Sequence, residues 1–384
     1  MQIIPDLDTG GAELSTIEIA GAIRQAGGTP LVLSRGGRLN GALKAAGGDL
    51  IEFPAATKNP LQILSNGRKI AALLKNTGAA LIHARSRAPA WSALLAARHA
   101  KVPFVTTYHG AYNEKGPAKR FYNSVMARGD LVIANSQYTA DLIRSRYGTS
   151  EDIIRIIHRG VDMDRFDPAK IPADRIEDLR QSWGLVAGER AILHPARLTS
   201  WKGQSTVIAA AGLLKEQGLL DGVVFILAGD AQGRDAYAEG LKSQIAEAGL
   251  ESHVRLVGHV ADMPTAYATS SGALVASVEP EAFGRTATEA QAMGCPVIAT
   301  AIGAPPETVK AGWLVKPAAP QDLAEKLGIL LRQSPDEAKA FAAVGRPHVE
   351  ANFSLLAMKT KTLKVYDELL SAGLTEAFRS SNRS

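Results

Sequence analysis

Residues 273–300 read ALVASVEPEAFGRTATEAQAMGCPVIAT. The apolar run at 273–277 is short and is followed by charged and turn residues, which marks a buried strand. Gly284 opens a turn, and a helix follows that carries Glu289 on its second turn and ends at Gly294. A second apolar run, 296–300, comes next. Strand, loop, helix and strand in this order form a βαβ unit, in which two parallel strands share one crossover helix.

The same alternation extends in both directions. In the first half, strands are expected at 31–33, 50–53, 80–83, 104–107 and 131–134, with helices such as 12–25 and 61–75 between them. The second half begins afresh with strands at 191–194, 223–228 and 254–257, ahead of the pair already described. Repeated βαβ units predict parallel sheets covered on both faces, and hence an α/β chain of two doubly wound, Rossmann-like domains. Between them, VDMDRFDPAKIPADR combines two prolines with alternating charge, a linker signature. The predicted domains are 1–168 and 169–352. A final helical segment, 353–384, starts at a Ser354 N-cap and is expected to cross back to the first domain. The polar end, SSNRS, is expected to be disordered.

At 384 residues the chain is long enough for two cores. Its one cysteine, Cys295, excludes an internal disulfide and a cysteine-cluster zinc site, and is expected to be a small core residue. No apolar run is long enough to span a bilayer and no leader pattern opens the chain, so a cytoplasmic protein is expected. The net charge of +5 is unevenly spread: residues 1–165 hold 21 Lys and Arg against 13 Asp and Glu, and the remainder 22 against 25. Residues 53–113 contain no acid at all. A second basic stretch, Lys115, Lys119, Arg120 and Arg128, carries Phe121, Tyr122, Val125 and Met126 at helical spacing. Such a surface suits an anionic ligand or membrane face, which would place the protein at the periphery of the inner membrane; the plainer reading of the helix is a solvated one facing its own core.

In open parallel sheets, ligands bind beyond the carboxyl ends of the strands. The turn DTGGAE, residues 8–13, puts Gly10 and Gly11 there, before a helix. After the strand at 191–194, PARLTSWKGQ supplies Arg197 and Lys202, two cations able to clamp a diphosphate. LAGDAQGRD and LVGHVADMP end two further strands with Gly229 and with His259 and Val260, whose backbone groups suit a nucleotide pocket. In a regular helix, the eight-residue step from Glu281 to Glu289 is about 12 Å of rise and about 80° of rotation. The two carboxylates therefore address different parts of one long ligand, such as a sugar and a ribose. The amides near Gly284, Arg285 and Thr286 point between them, where a diphosphate would lie.

These stretches together resemble the retaining glycosyltransferases of family 4, whose GT-B fold pairs two Rossmann-like domains across an interdomain cleft. The likeness rests on GGAE, TYHG (106–110 as TTYHG), RGVDMDRFDP, PARLTSWKGQ and above all EPEAFGRTATEAQAMGCPVIAT. It implies that Arg197 and Lys202 hold the donor diphosphate, Glu281 the sugar hydroxyls and Glu289 the ribose. It also implies that the loop around Val257 to Val260 meets the base, Phe283 and Gly284 belong to the donor-binding motif, Gly10 and Gly11 face the donor, and His109 stands near the reacting sugar. The sequence departs from the family pattern at AIGAPPETV, where Pro305 and Pro306 precede Glu307 and offer no N–H. Its first strand, residues 1–4, is also shorter than the family's.

The resemblance implies transfer of a hexose, with mannose from GDP-mannose favoured over a UDP-hexose, to a lipopolysaccharide-core or other lipid-linked or phosphorylated saccharide acceptor. Beyond the nucleotide-sugar no cofactor is expected, nor a metal at the triplets Asp6-Leu7-Asp8 and Asp162-Met163-Asp164, nor a nucleic-acid partner. Two other readings stay open: a nucleotide-sugar 2-epimerase of the same fold, and a non-catalytic protein that binds anionic surfaces.

Overall fold

The structure, a computed structural model, describes residues 1–8, 10–110, 112, 114 and 116–382. Two compact units divide the chain: Met1–Gly160 with Leu356–Ser384, and Val161–Leu355. The division falls at Gly160, ahead of residue 168, because the supposed linker packs on the second unit. Val161 is fully buried there, its N–H donating to the Phe353 carbonyl at 2.8 Å while its own carbonyl accepts from Leu355 at 2.8 Å. Phe166 joins the same core.

Seven parallel strands build the first sheet: β1 (Gln2–Ile3), β2 (Leu31–Ser34), β3 (Asp49–Glu52), β4 (Ile82–Ala84), β5 (Phe104–Tyr108), β6 (Leu131–Ala134) and β7 (Ile154–Ile156), in the order β3-β2-β1-β4-β5-β6-β7. The second sheet has six: β8 (Arg190–Pro195), β9 (Val223–Ala228), β10 (Val254–Gly258), β11 (Ser270–Val275), β12 (Val297–Thr300) and β13 (Gly312–Val315), in the order β10-β9-β8-β11-β12-β13. Both are Rossmann orders: the strand sequence reverses once, between β1 and β4 in one sheet and between β8 and β11 in the other. At such a reversal, neighbouring loops leave for opposite faces and open a crevice at the carboxyl edge.

The pleat explains why the strands of the second sheet read as unbroken apolar runs. Ile192, Phe225, Leu274 and Ile298 point to one face, where Val207, Leu214, Leu241 and Leu327 of three helices cover them. Leu193, Ile226, Ala273 and Val297 point to the other, under Tyr267, Ala287 and Phe353. A sheet buried on both faces leaves no polar alternation to see.

The C-terminal segment consists of two helices of the first unit. Leu355–Leu370 places the Tyr366 hydroxyl 2.7 Å from His83 Nδ1 at the end of β4. Leu374–Ser381 buries Phe378 completely and includes Ser380 and Ser381, the first two residues of the stretch expected to be disordered; Arg383 and Ser384 lie outside the described residues. No helix among the described residues is long and apolar enough to cross a membrane.

Candidate active site

The carboxyl ends of β8 and β11 flank the reversal of the second sheet. From β8 the chain runs through His194, Pro195 and Ala196 to a short turn, Ser200–Lys202, and then to Gly203, with φ 77°. A Cβ on Gly203 would collide with the Ala276 carbonyl. Only glycine therefore lets this loop rest on the end of β11. That approach carries Lys202 to Glu281, 79 positions away: its Nζ forms an ion pair with Glu281 Oε1, and the Ser277 hydroxyl donates to the same oxygen at 2.5 Å. The two side chains are 19% and 12% exposed, so water screens their attraction little.

The Glu281 backbone is fixed in turn by the loop after β12. Ala304 N–H donates to its carbonyl at 2.9 Å, and Gly303, with φ 85°, lies so close that a Cβ would strike the Glu281 backbone. Glu281 Oε2 has no protein partner among the described residues, and Lys202 keeps two of its three N–H donors after bonding Glu281. The helix Arg285–Ala292 starts beside them behind Gly284, which takes the left-handed conformation. Its first amides, those of Arg285 and Thr286, have no intrahelical acceptor and carry the positive end of the helix dipole. Lys202, Ser277, Glu281, Gly284, Arg285 and Thr286 line one cavity of about 180 Å³. One cation, one carboxylate with a spare oxygen, and a helix N-terminus thus converge on a space that suits a phosphate beside a hydroxylated group.

Glu289 sits one turn into this helix and away from the cavity lining. It accepts from Arg285 Nε at 3.1 Å and from the Tyr267 hydroxyl at 3.4 Å; burial pushes its carboxyl upward, against the pull of Arg285. Arg285 is thereby tied to Glu289, leaving its backbone as the group at the cavity mouth. Arg197 is exposed and forms no hydrogen bond or ion pair through its guanidinium among the described residues. Gly229 packs so closely under β8 that a Cβ would meet the Ala196 carbonyl. His259 is exposed and Val260 half-buried beyond β10. Phe283, a residue of the expected donor-binding motif, is 3% exposed, and its ring meets Phe353 edge-on at 5.8 Å; its side chain belongs to the core.

Two supporting residues gave no clear signal in the sequence. His194, buried at the end of β8, stands 3.0 Å from the Lys202 carbonyl through Nε2 and 3.0 Å from the Leu274 carbonyl through Nδ1, bracing the lysine loop. Burial lowers its pKa to about 4 despite those two acceptors. Gly303 is the other, visible only once its approach to Glu281 is known.

The remaining expected residues lie in the first unit. Gly10 precedes the helix Gly11–Gln25, and a Cβ on Gly11 would collide with Arg159. Thr9, in the same turn, and Lys115 lie outside the described residues. His109, half-buried after β5, accepts from Arg159 at Nδ1 over 3.0 Å, and burial together with Arg159 holds its pKa well below the usual histidine range. Asp6 is bound by the Arg35 guanidinium at 2.8 Å and 2.9 Å, while Asp162 caps the N–H groups of Asp164 and Arg165 at 3.1 Å each.

Residues 9–165 match the family model described as Glycosyltransferase Family 4, and residues 175–346 that described as Glycosyl transferases group 1. A solved glycosyltransferase from Rickettsia africae is 36% identical, covering 97% of this chain and 98% of that one with a TM-score of 0.89. This chain belongs to the family 4 glycosyltransferases. Its two Rossmann-like units are those of the GT-B fold. HepE from Anabaena, solved in complex with UDP-glucose, is 26% identical, with 96% and 98% of the two chains covered and a TM-score of 0.81. A GDP-mannose-dependent alpha-(1-6)-phosphatidylinositol monomannoside mannosyltransferase of Mycobacterium tuberculosis is 32% identical over 236 residues, 58% of either chain. The glycosyltransferase spans about half to three fifths of the length of the curated relatives it matches.

Proposed function

We propose that this family 4 enzyme moves a hexose from a nucleotide-sugar to a lipid-linked or phosphorylated saccharide acceptor, with retention at the anomeric carbon and without a metal ion. The observation that carries this reading is the convergence of Lys202, Glu281 and the helix amides of Arg285 and Thr286 on one cavity at the strand reversal. When the bond from the anomeric carbon to the leaving oxygen breaks, negative charge grows on the β-phosphate. Lys202 and the amides, already in place, stabilise that charge more in the transition state than in the ground state. Arg197 reaches the same diphosphate from the solvent side. Glu281 has Oε1 saturated by Lys202 and Ser277, which suits it to accept sugar hydroxyls through Oε2 and not to attack carbon. In this scheme no protein nucleophile is needed, and the leaving phosphate takes the acceptor proton on the face it departs from. Glu289 receives the ribose, and the loop at His259 and Val260 the base.

GDP-mannose is the favoured donor, on the strength of the mycobacterial relative's name, with a UDP-hexose as the alternative suggested by HepE. The acceptor is of the lipopolysaccharide-core kind or another anionic lipid-linked saccharide. Membrane attachment through the first unit is supported by Leu61, 77% exposed, Leu64 beside it and Phe121, 61% exposed, among the basic residues of the acid-free window and of the stretch that follows it. Thermal melting against a panel of nucleotide-sugars tests the donor, because a bound ligand raises apparent stability by mass action. A rise of several degrees with one member, and release of its nucleoside diphosphate on adding acceptor, is expected. Conversion of the nucleotide-sugar to its C2 epimer without acceptor, or no response to any member, would overturn the reading.

A further inference from the structure

The reversal of the first sheet holds a charge that the reaction as described does not use. Arg85 follows β4 directly, at the carboxyl edge beside β1, and is 4% exposed. Its Nε and Nη2 donate to Gln2 Oε1 at 2.8 Å and 2.6 Å, and Gln2 is locked by donating to the Thr16 carbonyl at 2.9 Å. A guanidinium has five N–H donors. Three of them find no protein acceptor among the described residues, and Arg85 forms no ion pair there. Glu18 acts on it through space without bonding to it. An unpaired charge withdrawn this far from water is costly, and buried charges in proteins are ordinarily paired.

A second donor faces the same place. A cavity of about 20 Å³ is lined by Arg85, Ser15, Thr107, His109, Asn135 and Arg159 among others, and no carboxylate borders it. His109 Nε2 is buried and has no hydrogen-bond partner among the described residues. Its tautomer follows from geometry: the Arg159 guanidinium can only donate, so the Nδ1 it meets at 3.0 Å is a lone pair and the ring proton sits on Nε2. The cavity therefore presents N–H groups from a cation and from a neutral imidazole. Its volume is that of one oxygen-sized group. Water fits by size but brings no charge to offset Arg85.

We infer that Arg85, with the His109 Nε2 proton, forms an acceptor subsite in the first unit that takes one anionic oxygen of a phosphoryl or carboxylate group. Calling the ligand an acceptor rests on the transferase reading above; the anion site itself does not. The tip of the anion enters and its sugar stays outside, so the subsite selects for charge and leaves the sugar identity to other residues.

The full chain is titrated with inorganic phosphate and, separately, with acetate, at constant ionic strength held by chloride. Two readouts are followed: the melting temperature and the imidazole ¹⁵N signals of His109. One of the two anions is expected to shift both saturably, phosphate if the source is a phosphoryl group and acetate if it is a carboxylate. Arg85→Gln is expected to weaken that response about tenfold or more, the loss of one charged hydrogen-bonding pair. Stabilisation that survives in Arg85→Gln unchanged belongs to the diphosphate seat of the second unit and overturns the inference, as does an unmoved His109 signal in the unmutated chain, which stays readable should the variant not fold. A nucleotide-sugar that binds while neither anion does removes this subsite and leaves the transferase reading intact; anion binding without any nucleotide-sugar binding does the reverse.

Discussion

Gly303 is the position at which one methyl group separates the geometry of the site from the stability of the fold. Its φ of 85° costs any L-residue about 1–2 kcal/mol. Beyond that, a Cβ there would strike the backbone of Glu281, which has to move, and forced overpacking of this kind adds about 1–3 kcal/mol. Gly294 isolates the first effect: its φ is 67°, yet a Cβ on it meets nothing within 4 Å. Gly294→Ala should therefore cost about 1–2 kcal/mol and leave transfer unchanged. Gly303→Ala should cost about 2–5 kcal/mol, and a shift of Glu281 by about 1 Å should lower kcat/KM about 100-fold. Urea unfolding followed by tryptophan fluorescence reads mainly the second unit, since Trp183, Trp201 and Trp313 lie in it and only Trp91 in the first. Nucleoside diphosphate release from the donor gives the activity. If both variants lose the same stability and both keep wild-type kcat/KM, Glu281 is either not held by this contact or not used.

Lys202→Met should lower turnover about 100- to 1,000-fold, the usual loss for one preorganised group at developing charge; adding Glu281→Gln should recover part of the lost melting temperature, because no uncompensated carboxylate then remains buried. Arg197→Ala, at an exposed side chain without partners among the described residues, should leave stability within about 0.5 kcal/mol while reducing kcat/KM tenfold or more, and an unchanged kcat/KM would remove it from the diphosphate seat. His194 has a folded pKa of about 4, below its unfolded value. The unfolded chain then binds the extra proton between roughly pH 6.5 and 4, so stability present above that window falls by up to about 3 kcal/mol as pH drops through it. An NMR titration that finds His194 protonating near pH 6.5 would refute this. The Cys295 thiol, buried and pushed up to about 12, should resist iodoacetamide in the native enzyme and react only on unfolding.

The βαβ alternation was legible wherever a strand is both apolar and flanked by turn residues, as at Val223–Ala228 and Leu131–Ala134, which run as the sequence predicts. Three strands were less visible for identifiable reasons. Edge strands β7 and β13 are three and four residues long, and β13 starts at a glycine. Strand β11 begins at Ser270, three residues before its apolar run, because Gly272 packs against Leu330 where a side chain would not fit. At the site, sequence marked Lys202 and Glu281 separately, yet their pairing depends on loops from β8, β11 and β12 meeting at a strand reversal, which is a property of strand order and not of local spacing. Phe283 also stands inside the motif, yet its ring packs against Phe353, since motif membership does not say which way a ring points. Arg85 was counted only as one basic residue in an acid-free window, because burial of a charge leaves no mark on the chain.

The first unit is discontinuous, needing residues beyond Leu355 to complete it. During synthesis the ribosome therefore releases all of Val161–Leu355 before the helices that supply Tyr366 to His83 and bury Phe378 have emerged. The half made second has its whole sheet available first, while the half made first waits with an uncovered flank. Until those helices emerge, proteases and chaperones should meet this chain through its earliest residues, in the unit that is still incomplete.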